Sequence, residues 1–208
     1  MYWSSAAAPQ YTTFNGYGVL RTTPTTGTLS AISTQTYNNL PTGSQPFSVV
    51  AVFKPNSLAG LATGGIRILF SAGNATASSN GQLVYPIALN GYLKYTGGAY
   101  GGLGTWLSTA GIAASTSQYV VMVTTFNGTT ERVYINGIWD KSATMTPTIP
   151  VSSSNKVVLG CSWYAPQNMD ADVGVLLMYN RALSSSEAAQ MYSTFDLRFA
   201  MPTSGINV

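Results

Sequence analysis

The strongest fold signal in the sequence is residues 119–135, YVVMVTTFNGTTERVYI. Two runs rich in β-branched and aromatic residues flank Asn127-Gly128, a pair that favours the tight, positive-φ turn of a hairpin. Successive side chains from Glu131 to Ile135 would point to alternate faces of a strand. This segment therefore predicts an antiparallel β-hairpin.

The same strand character recurs along the chain, in segments bounded by Gly, Pro, Asn or Ser. Further Asn-Gly pairs, typical of turns, stand at 15–16, 80–81, 90–91 and 136–137. Many short strands with few helices predict an all-β fold, a two-sheet antiparallel β-sandwich or jelly roll. The additional predicted strands are residues 47–53, 66–71, 83–89, 156–161 and 173–179.

One short C-terminal helix is predicted. Residues 184–187, SSSE, form a capping box in which Ser184 accepts from the amide three residues on and Glu187 reaches back. We expect about two turns, with Ala188, Met191 and Tyr192 packed on the sandwich. Glu187 is then a capping residue.

The chain ends suggest a simple domain organisation. Residues 1–45 are rich in Thr, Ser, Gly and Pro and are expected to form an N-terminal arm or an outer strand. Residues 46–194 hold the strands and the helix and form the main domain. Residues 195–208 are expected to form a C-terminal tail or an edge strand.

The composition excludes several kinds of active site. The chain has no histidine, so Ser-His-Asp and Cys-His catalysis and His-ligated metals are absent. The single cysteine, Cys161, cannot form an internal disulfide or a Cys-rich zinc site, and we expect a core thiol.

Charge is scarce along the whole chain. Only 7% of residues are charged, against roughly 25% in an average soluble protein, while 45% are hydrophobic. The net charge of +3 comes from scattered basic residues without a cluster, so nucleic-acid binding is not expected. No apolar run approaches the ~20 residues of a membrane helix, and residues 1–8 lack the regions of a secretory signal.

Three stretches resemble the laminin-G-like, concanavalin A-like jelly-roll superfamily. Residues 47–58, FSVVAVFKPNSL, look like its early strand and Lys-Pro turn, and residues 119–137 resemble its central hairpin ending in Tyr-Ile-Asn-Gly. Residues 173–192 contain YNRALS, similar to the entry of its short helix. The resemblance spans residues 47 to 192 and implies a concanavalin A-like lectin/glucanase fold, with a laminin-G-like domain at 46–194.

The glucanases of this superfamily are the enzymes to consider. The members that this chain would have to resemble carry closely spaced carboxylates on one strand, in an E-x-D-x-x-E pattern. A retaining glycosidase needs two carboxyl groups about 5 Å apart. This chain has six carboxylates and lacks that pattern; Asp170 and Asp172 are the one close pair in the sequence. We therefore predict that the protein is not an enzyme.

Many relatives bind Ca²⁺ at one rim of the sandwich. Residues 168–172, NMDAD, offer hard oxygen ligands at alternate positions. The sequence departs from the family directly afterwards, where Gly174-Val175 replaces an acidic pair. We expect no metal and no cofactor, with Asp170 and Asp172 contacting solvent or backbone amides.

Two aromatic segments are candidates for ligand binding. Residues 92–106, YLKYTGGAYGGLGTW, and 162–168, SWYAPQN, combine large rings with glycines or amides, a composition suited to stacking against sugars. For each ring the alternative is packing in the core or a loop, and Tyr and Trp also favour protein interfaces. The candidate residues are Tyr95, Tyr100, Trp106, Trp163 and Tyr164.

Two functions fit these observations. The first is a structural or adhesion protein on a virion surface, such as a capsid decoration, minor capsid or fibre-type protein. An unprocessed-looking Met1, the lack of a signal and the nearly uncharged Ser/Thr/Gly surface favour it. We expect protein neighbours in an oligomer, no membrane insertion, and an extracellular or virion-surface location. The alternative is a secreted or cell-surface carbohydrate-binding, lectin-like module.

Overall fold

The computed structural model describes residues 10–23, 41, 44–58, 66–74, 84–90, 94–97, 107–144, 155–160 and 169–199. These residues form twelve strands and one helix. The elements are β1 (Gln10–Phe14), β2 (Tyr17–Thr22), β3 (Phe47–Pro55), β4 (Ile66–Asn74), β5 (Val84–Asn90), β6 (Lys94–Gly97), β7 (Leu107–Ala113), β8 (Val120–Phe126), β9 (Thr130–Ile135), β10 (Ile138–Thr144), β11 (Asn155–Leu159), β12 (Ala171–Tyr179) and α1 (Ser185–Phe199).

The strands form two antiparallel sheets. One has seven strands in the order β1-β2-β12-β3-β8-β9-β10, and the other has five in the order β11-β4-β5-β6-β7. This confirms the predicted all-β, two-sheet antiparallel sandwich with a C-terminal helix. Across the described ranges, no helix is long and apolar enough to cross a membrane.

The central strands of the seven-stranded sheet, β3 and β8, are buried on both faces. On its inner face, Val49 and Phe53 of β3 pack in a core with Phe70 of the five-stranded sheet. On its outer face, Val50 and Val52 of the same strand pack in a second core with residues of α1. Because both faces are covered, β3 and β8 are almost continuously apolar rather than alternating.

Helix α1 begins with the predicted capping box. The Ser184 hydroxyl accepts a hydrogen bond from the Glu187 amide at 3.3 Å, and Glu187 Oε2 accepts from the Ser184 amide at 2.8 Å. The helix has 15 residues, however, so the prediction of two turns was too short. Phe195 and Phe199 are 7% and 2% exposed and continue its core face at helical spacing. The edge-strand prediction is therefore wrong for residues 195–199.

The predicted hairpin at Asn127-Gly128 is confirmed and joins β8 to β9. Gly128 has φ of 104°, and the Asn127 side-chain oxygen accepts from the amides of Thr129 and Thr130 at 3.0 and 2.8 Å. The pairs at 15–16 and 136–137 also form hairpin turns, and in each both residues have positive φ.

Five strands were not among the seven predicted segments. β1 and β2 lie at one edge of the seven-stranded sheet, within the region expected to be an arm or outer strand. β6, KYTG, is short, β7, LSTAGIA, consists mainly of small residues, and β10, IWDKSAT, is largely polar. They carry too few β-branched residues to be recognised alone. The boundaries at residues 46 and 194 remain predictions.

We expect Phe199→Ala to lower the free energy of unfolding by about 3–5 kcal/mol, because a buried aromatic ring leaves a cavity. The ring stacks 5.0 Å from that of Tyr119 and occupies the space above Gly174. Leu197→Ala is the matched control, because Leu197 is 90% exposed on the same helix and should cost less than about 0.5 kcal/mol. Equal urea midpoints for the two variants would show that α1 is not docked through Phe199.

The helix cap should make stability depend on acid pH. Hydrogen bonds from Arg181, at 2.6 Å, and from Ser184 lower the pKa of Glu187 to about 2, from 4.5. The stabilising contribution is therefore complete above about pH 4.5 and is lost as pH falls towards 2. Glu187→Gln keeps a capping acceptor but loses the charge. Its melting temperature should lie below that of the wild type at pH 7 and match it near pH 2; a constant difference would contradict this origin.

Candidate functional site

One rim of the sandwich gathers charged and polar side chains where β2 and β3 end and β12 begins. The register places Asp172 of β12 opposite Arg21 of β2 on one side and Lys54 of β3 on the other. Directly opposite residues on neighbouring strands share a face of the sheet, so the carboxylate lies between two cations. We call Arg21, Lys54, Asn56, Asp170 and Asp172 the rim cluster.

Asp172 is the centre of the rim cluster and is only 3% exposed. Its Oδ1 accepts from Arg21 Nε at 2.6 Å, and its Oδ2 accepts from Arg21 Nη2 at 2.9 Å, which is a bidentate pair. Lys54 Nζ lies 3.6 Å from Oδ2, and Asn56 Nδ2 donates to Oδ1 at 3.1 Å. Both carboxylate oxygens are therefore engaged.

These partners determine the protonation of Asp172. Burial acts to raise its pKa, but hydrogen bonds from Arg21 and Asn56 and the charges of Arg21 and Lys54 outweigh burial. The pKa of Asp172 is therefore lower than usual, and the hydrogen bond to Asp172 raises the pKa of Arg21. Asp172 is ionised at neutral pH and cannot serve as a general acid there.

Asn56 connects the end of β3 to the chain entering β12. Its Nδ2 also donates to Asp170 Oδ1 at 3.1 Å, and its backbone amide donates to the Asp170 carbonyl at 2.9 Å. The expectation that Asp170 and Asp172 contact solvent or backbone amides was therefore wrong for Asp172, because the side chains of Arg21, Lys54 and Asn56 surround its carboxylate. Asp170 is half-buried and accepts from Asn56.

The same contacts affect whether calcium could bind at the predicted segment 168–172. Calcium favours several free carboxylate or carbonyl oxygens, whereas an ion at Asp172 would have to displace Arg21 and Lys54. The described residues include all six Asp and Glu side chains of the sequence. Among the described residues, no three or more Asp, Glu, Cys or His side chains are grouped so that they could hold a metal ion. The rim cluster is thus an ion-pair network in character rather than a set of calcium ligands.

The rim also anchors both ends of the segment containing Trp163 and Tyr164. The Met169 amide donates to the Gly160 carbonyl at 2.8 Å, so the two residues that flank 161–168 are joined. Buried Thr22 donates to the Met169 carbonyl at 2.7 Å and packs against Gly160, which has φ of 76°. Residues 161–168, with Cys161, Trp163 and Tyr164, lie outside the described residues.

The other aromatic segment belongs to a different part of the five-stranded sheet. Tyr95 lies on β6, where its backbone pairs with Leu89. Tyr100 and Trp106 lie outside the described residues, in a connection between Gly97 and Leu107, which pair with each other. Because β6 and β11 run in opposite directions, their following segments leave the sheet towards opposite ends. The ends of these two strands, Gly97 and Leu159, therefore lie at opposite ends of the sheet, and the role of the five candidates stays a prediction.

A sequence model of the concanavalin A-like lectin/glucanases superfamily matches residues 26–189. The chain belongs to this superfamily. The match confirms the resemblance found in residues 47–192. No curated protein matches the chain in a sequence search.

Several solved structures have a similar fold at low sequence identity. The binding domain of Paraclostridial Mosquitocidal Protein 1 is 14% identical with a TM-score of 0.68, covering 93% of this chain but 47% of that one, so the present chain spans about half its length. The Ruminococcus gnavus IT-sialidase CBM40 bound to α2,3 sialyllactose is 12% identical, with a TM-score of 0.59 and coverages of 71% and 83%. The SAP-like pentraxin of Limulus polyphemus is 17% identical, with a TM-score of 0.58 and coverages of 77% and 74%.

We expect Arg21→Ala to destabilise the protein by about 2 kcal/mol. Breaking a fully buried ion pair costs roughly 3–5 kcal/mol, but Arg21 is 44% exposed and Lys54 remains beside Asp172. Lys141→Ala, at an exposed basic residue of β10, should cost less than about 0.5 kcal/mol. The difference between wild type and Arg21→Ala should shrink as acid protonates Asp172. Equal losses for both variants in urea titrations would contradict the role of this pair.

Proposed function

We propose that the chain is a non-catalytic glycan-binding module. The observation that carries the proposal is the hydrogen bond between Gly160 and Met169, which joins the residues on either side of the aromatic segment 161–168. This bond lies at the rim of a jelly roll of the lectin/glucanase superfamily. A fixed base lowers the conformational entropy that a binding loop loses when it captures a ligand. The similar CBM40 structure, bound to sialyllactose, supports the same class of ligand.

The carboxylates support a binding role over hydrolysis. A glycosidase acid needs a raised pKa, whereas hydrogen bonds to Arg21 and Arg181 help to lower the pKa of Asp172 and Glu187. Glu131 is fully buried on the inner face of β9 and is closed to a polymeric sugar. Asn56 donates to both Asp170 and Asp172, which brings the two carboxylates together. A glycosidase pair needs one protonated carboxyl group, and Asp172, held ionised by Arg21, cannot supply it.

We propose Trp163 and Tyr164 as one sugar-binding platform, and Tyr95, Tyr100 and Trp106 as a second. Indole and phenol rings offer broad apolar surfaces with few rotatable bonds, so they bind flat sugar faces at a low entropic cost. The nearly uncharged composition suits recognition through stacking and neutral hydrogen bonds.

A structural role on a particle or virion surface is the second candidate. Exposed apolar side chains at sheet edges favour it, because such side chains are typical of protein contacts: Tyr11 is 74% exposed and Trp139 57% exposed. Protein neighbours would then bind at these edges, while the rim segments would be passive. The glycan-binding proposal ranks first because the similar structures include carbohydrate-binding modules.

A glycan array with the purified chain tests the proposal, with and without EDTA. We expect binding that Trp163→Ala or Trp106→Ala weakens at least about tenfold, because truncating a central aromatic anchor removes most of its contact energy. Trp139→Ala is the matched control, since Trp139 is an exposed tryptophan of β10, outside both candidate segments. EDTA should leave binding unchanged, and mass spectrometry should show every bound glycan intact.

Three results would contradict parts of this proposal. Silence across the array from a folded sample would reject glycan binding for the sugars tested and favour the particle-surface role. Equal losses for Trp163→Ala, Trp106→Ala and Trp139→Ala would reject the assigned platforms. Cleaved glycans would reject the non-catalytic role.

A further inference from the structure

The three Asn-Gly turns that the structure describes share a dipeptide but differ in how firmly their neighbours hold them. They join β1 to β2, β8 to β9 and β9 to β10, at Asn15-Gly16, Asn127-Gly128 and Asn136-Gly137. Asparagine is a thermolabile residue, and glycine, which has no Cβ atom, leaves its own amide nitrogen open to close approach. Each turn is therefore a chemical candidate for spontaneous deamidation.

Deamidation begins when the amide nitrogen of the glycine attacks the side-chain Cγ of the asparagine. The new C–N bond closes a five-membered succinimide ring, and the side-chain nitrogen leaves as ammonia with the proton of the glycine amide. Water then adds to one of the two ring carbonyls and breaks its bond to the glycine nitrogen, which regains a proton. The product is aspartate or isoaspartate. Ring closure turns the asparagine side chain and the following peptide plane, so contacts that hold either of them slow the reaction.

Hydrogen bonds hold the Asn127 side chain in place. Its Oδ1 accepts from the amides of Thr129 and Thr130 at 3.0 and 2.8 Å, and from the Thr129 hydroxyl at 3.2 Å. The Asn127 amide also donates to the Thr130 carbonyl at 3.1 Å. Although Asn127 is exposed, ring closure there has to break the side-chain bonds first, and this turn is therefore protected.

The turn at Asn136-Gly137 is held from two sides. Asn136 Oδ1 accepts from the Val121 amide at 3.0 Å, and the Asn136 amide donates to the Val121 carbonyl at 2.8 Å. Gly137 packs beneath α1, where a Cβ atom added to it would lie 3.0 Å from Tyr192 Cβ and 3.1 Å from Ala189 Cα. The peptide plane between Asn136 and Gly137 therefore lacks the room to turn while α1 is docked.

We propose that Asn15 is the deamidation site of the folded chain, ahead of Asn127 and Asn136. Asn15 and Gly16 are both exposed. Apart from its chain neighbours, no described residue comes within 4 Å of a Cβ atom added to Gly16. In the part of the chain that the structure describes, no hydrogen bond holds the Asn15 side chain, so ring closure breaks none.

Deamidation at Asn15 loosens the β1–β2 hairpin. This two-residue turn has positive φ at both residues, 49° and 80°. Isoaspartate lengthens the turn by one backbone carbon, and aspartate places a negative charge in it. The flanking rings of Phe14 and Tyr17 lie 4.7 Å from the ring of Tyr119 and 6.3 Å from that of Phe199, so a longer turn disturbs the contact of the hairpin with the outer core. The inference does not depend on glycan binding.

Peptide mapping by mass spectrometry, after incubation of the folded full chain in mildly alkaline buffer, tests the site. Deamidation raises the mass of a peptide by about 1 Da, because an amide NH₂ becomes an OH. We expect Asn15 to react at least about tenfold faster than Asn127 and Asn136, since hydrogen bonds must break before ring closure at the other two. Labelling with an isoaspartate-specific methyltransferase identifies the isoaspartate product in the same peptide.

The same incubation in urea separates the effect of the fold from that of the sequence. Each of the three asparagines follows a large apolar residue and precedes glycine, so their rates in the unfolded chain should differ by less than about threefold. Equal rates in the folded chain would overturn the proposal. A preference for Asn15 that persists unchanged in urea would overturn it as well, because the preference would then come from local sequence.

Asn15→Gly tests the effect on the hairpin, because glycine keeps the positive φ of the turn and has no side chain to cyclise. Once Asn15 is fully converted, the melting temperature of the wild type should have fallen by about 2–4 °C. Asn15→Gly, incubated for the same time, should keep its starting melting temperature. Asn127→Gly is the matched control and should lose as much as the wild type, since its Asn15 is intact. Equal losses for the wild type and Asn15→Gly would overturn the assigned effect on the hairpin.

Discussion

The burial of the central strands of the seven-stranded sheet, β3 and β8, on both faces is the constraint on which the rest of the structure depends. A sandwich of two sheets covers only one face of each, and the outer face of this sheet presents Val50, Val52 and their neighbours. Helix α1 covers that face, and buried Ser48 links the two by donating to the Arg181 carbonyl and accepting from the Leu183 amide, both at 2.9 Å. The helix is thus part of the core, which explains why its apolar side extends to Phe199.

The rim cluster aligns three strands of that sheet. Because side chains alternate along a strand, a shift of β12 by one residue would turn Asp172 to the opposite face, away from both cations. The ion pair with Arg21 thereby favours one register over its neighbours, and Asn56 fixes the chain just before β12. The same alignment brings together Gly160 and Met169, the two residues that flank the aromatic segment.

Sequence alone predicted the elements whose signals are local. β3 and β8 are rich in β-branched residues, β12 contains the apolar run VGVLLMY, and the cap at Ser184 is a pattern of four residues. β7 and β10 carry weaker propensities, and their pairing comes from neighbours distant in sequence. Asp172 was recognised as a polar rim residue, but its partner Arg21 is 151 positions away and becomes visible only with the register of β2 and β12. The length of α1 was underestimated because residues 195–199, FDLRF, alternate between apolar and charged side chains, as a strand does.

The closed base between Gly160 and Met169 has a consequence for how this fold can change. One hydrogen bond, from the Met169 amide to the Gly160 carbonyl, joins the residue after β11 to the chain that enters β12, and Thr22 lies beside it. Lengthening a surface loop costs little free energy when its ends are already held together. Because Gly160 and Met169 are joined, the sequence between them can be lengthened or replaced to suit other ligands while the strand register and both cores stay as they are.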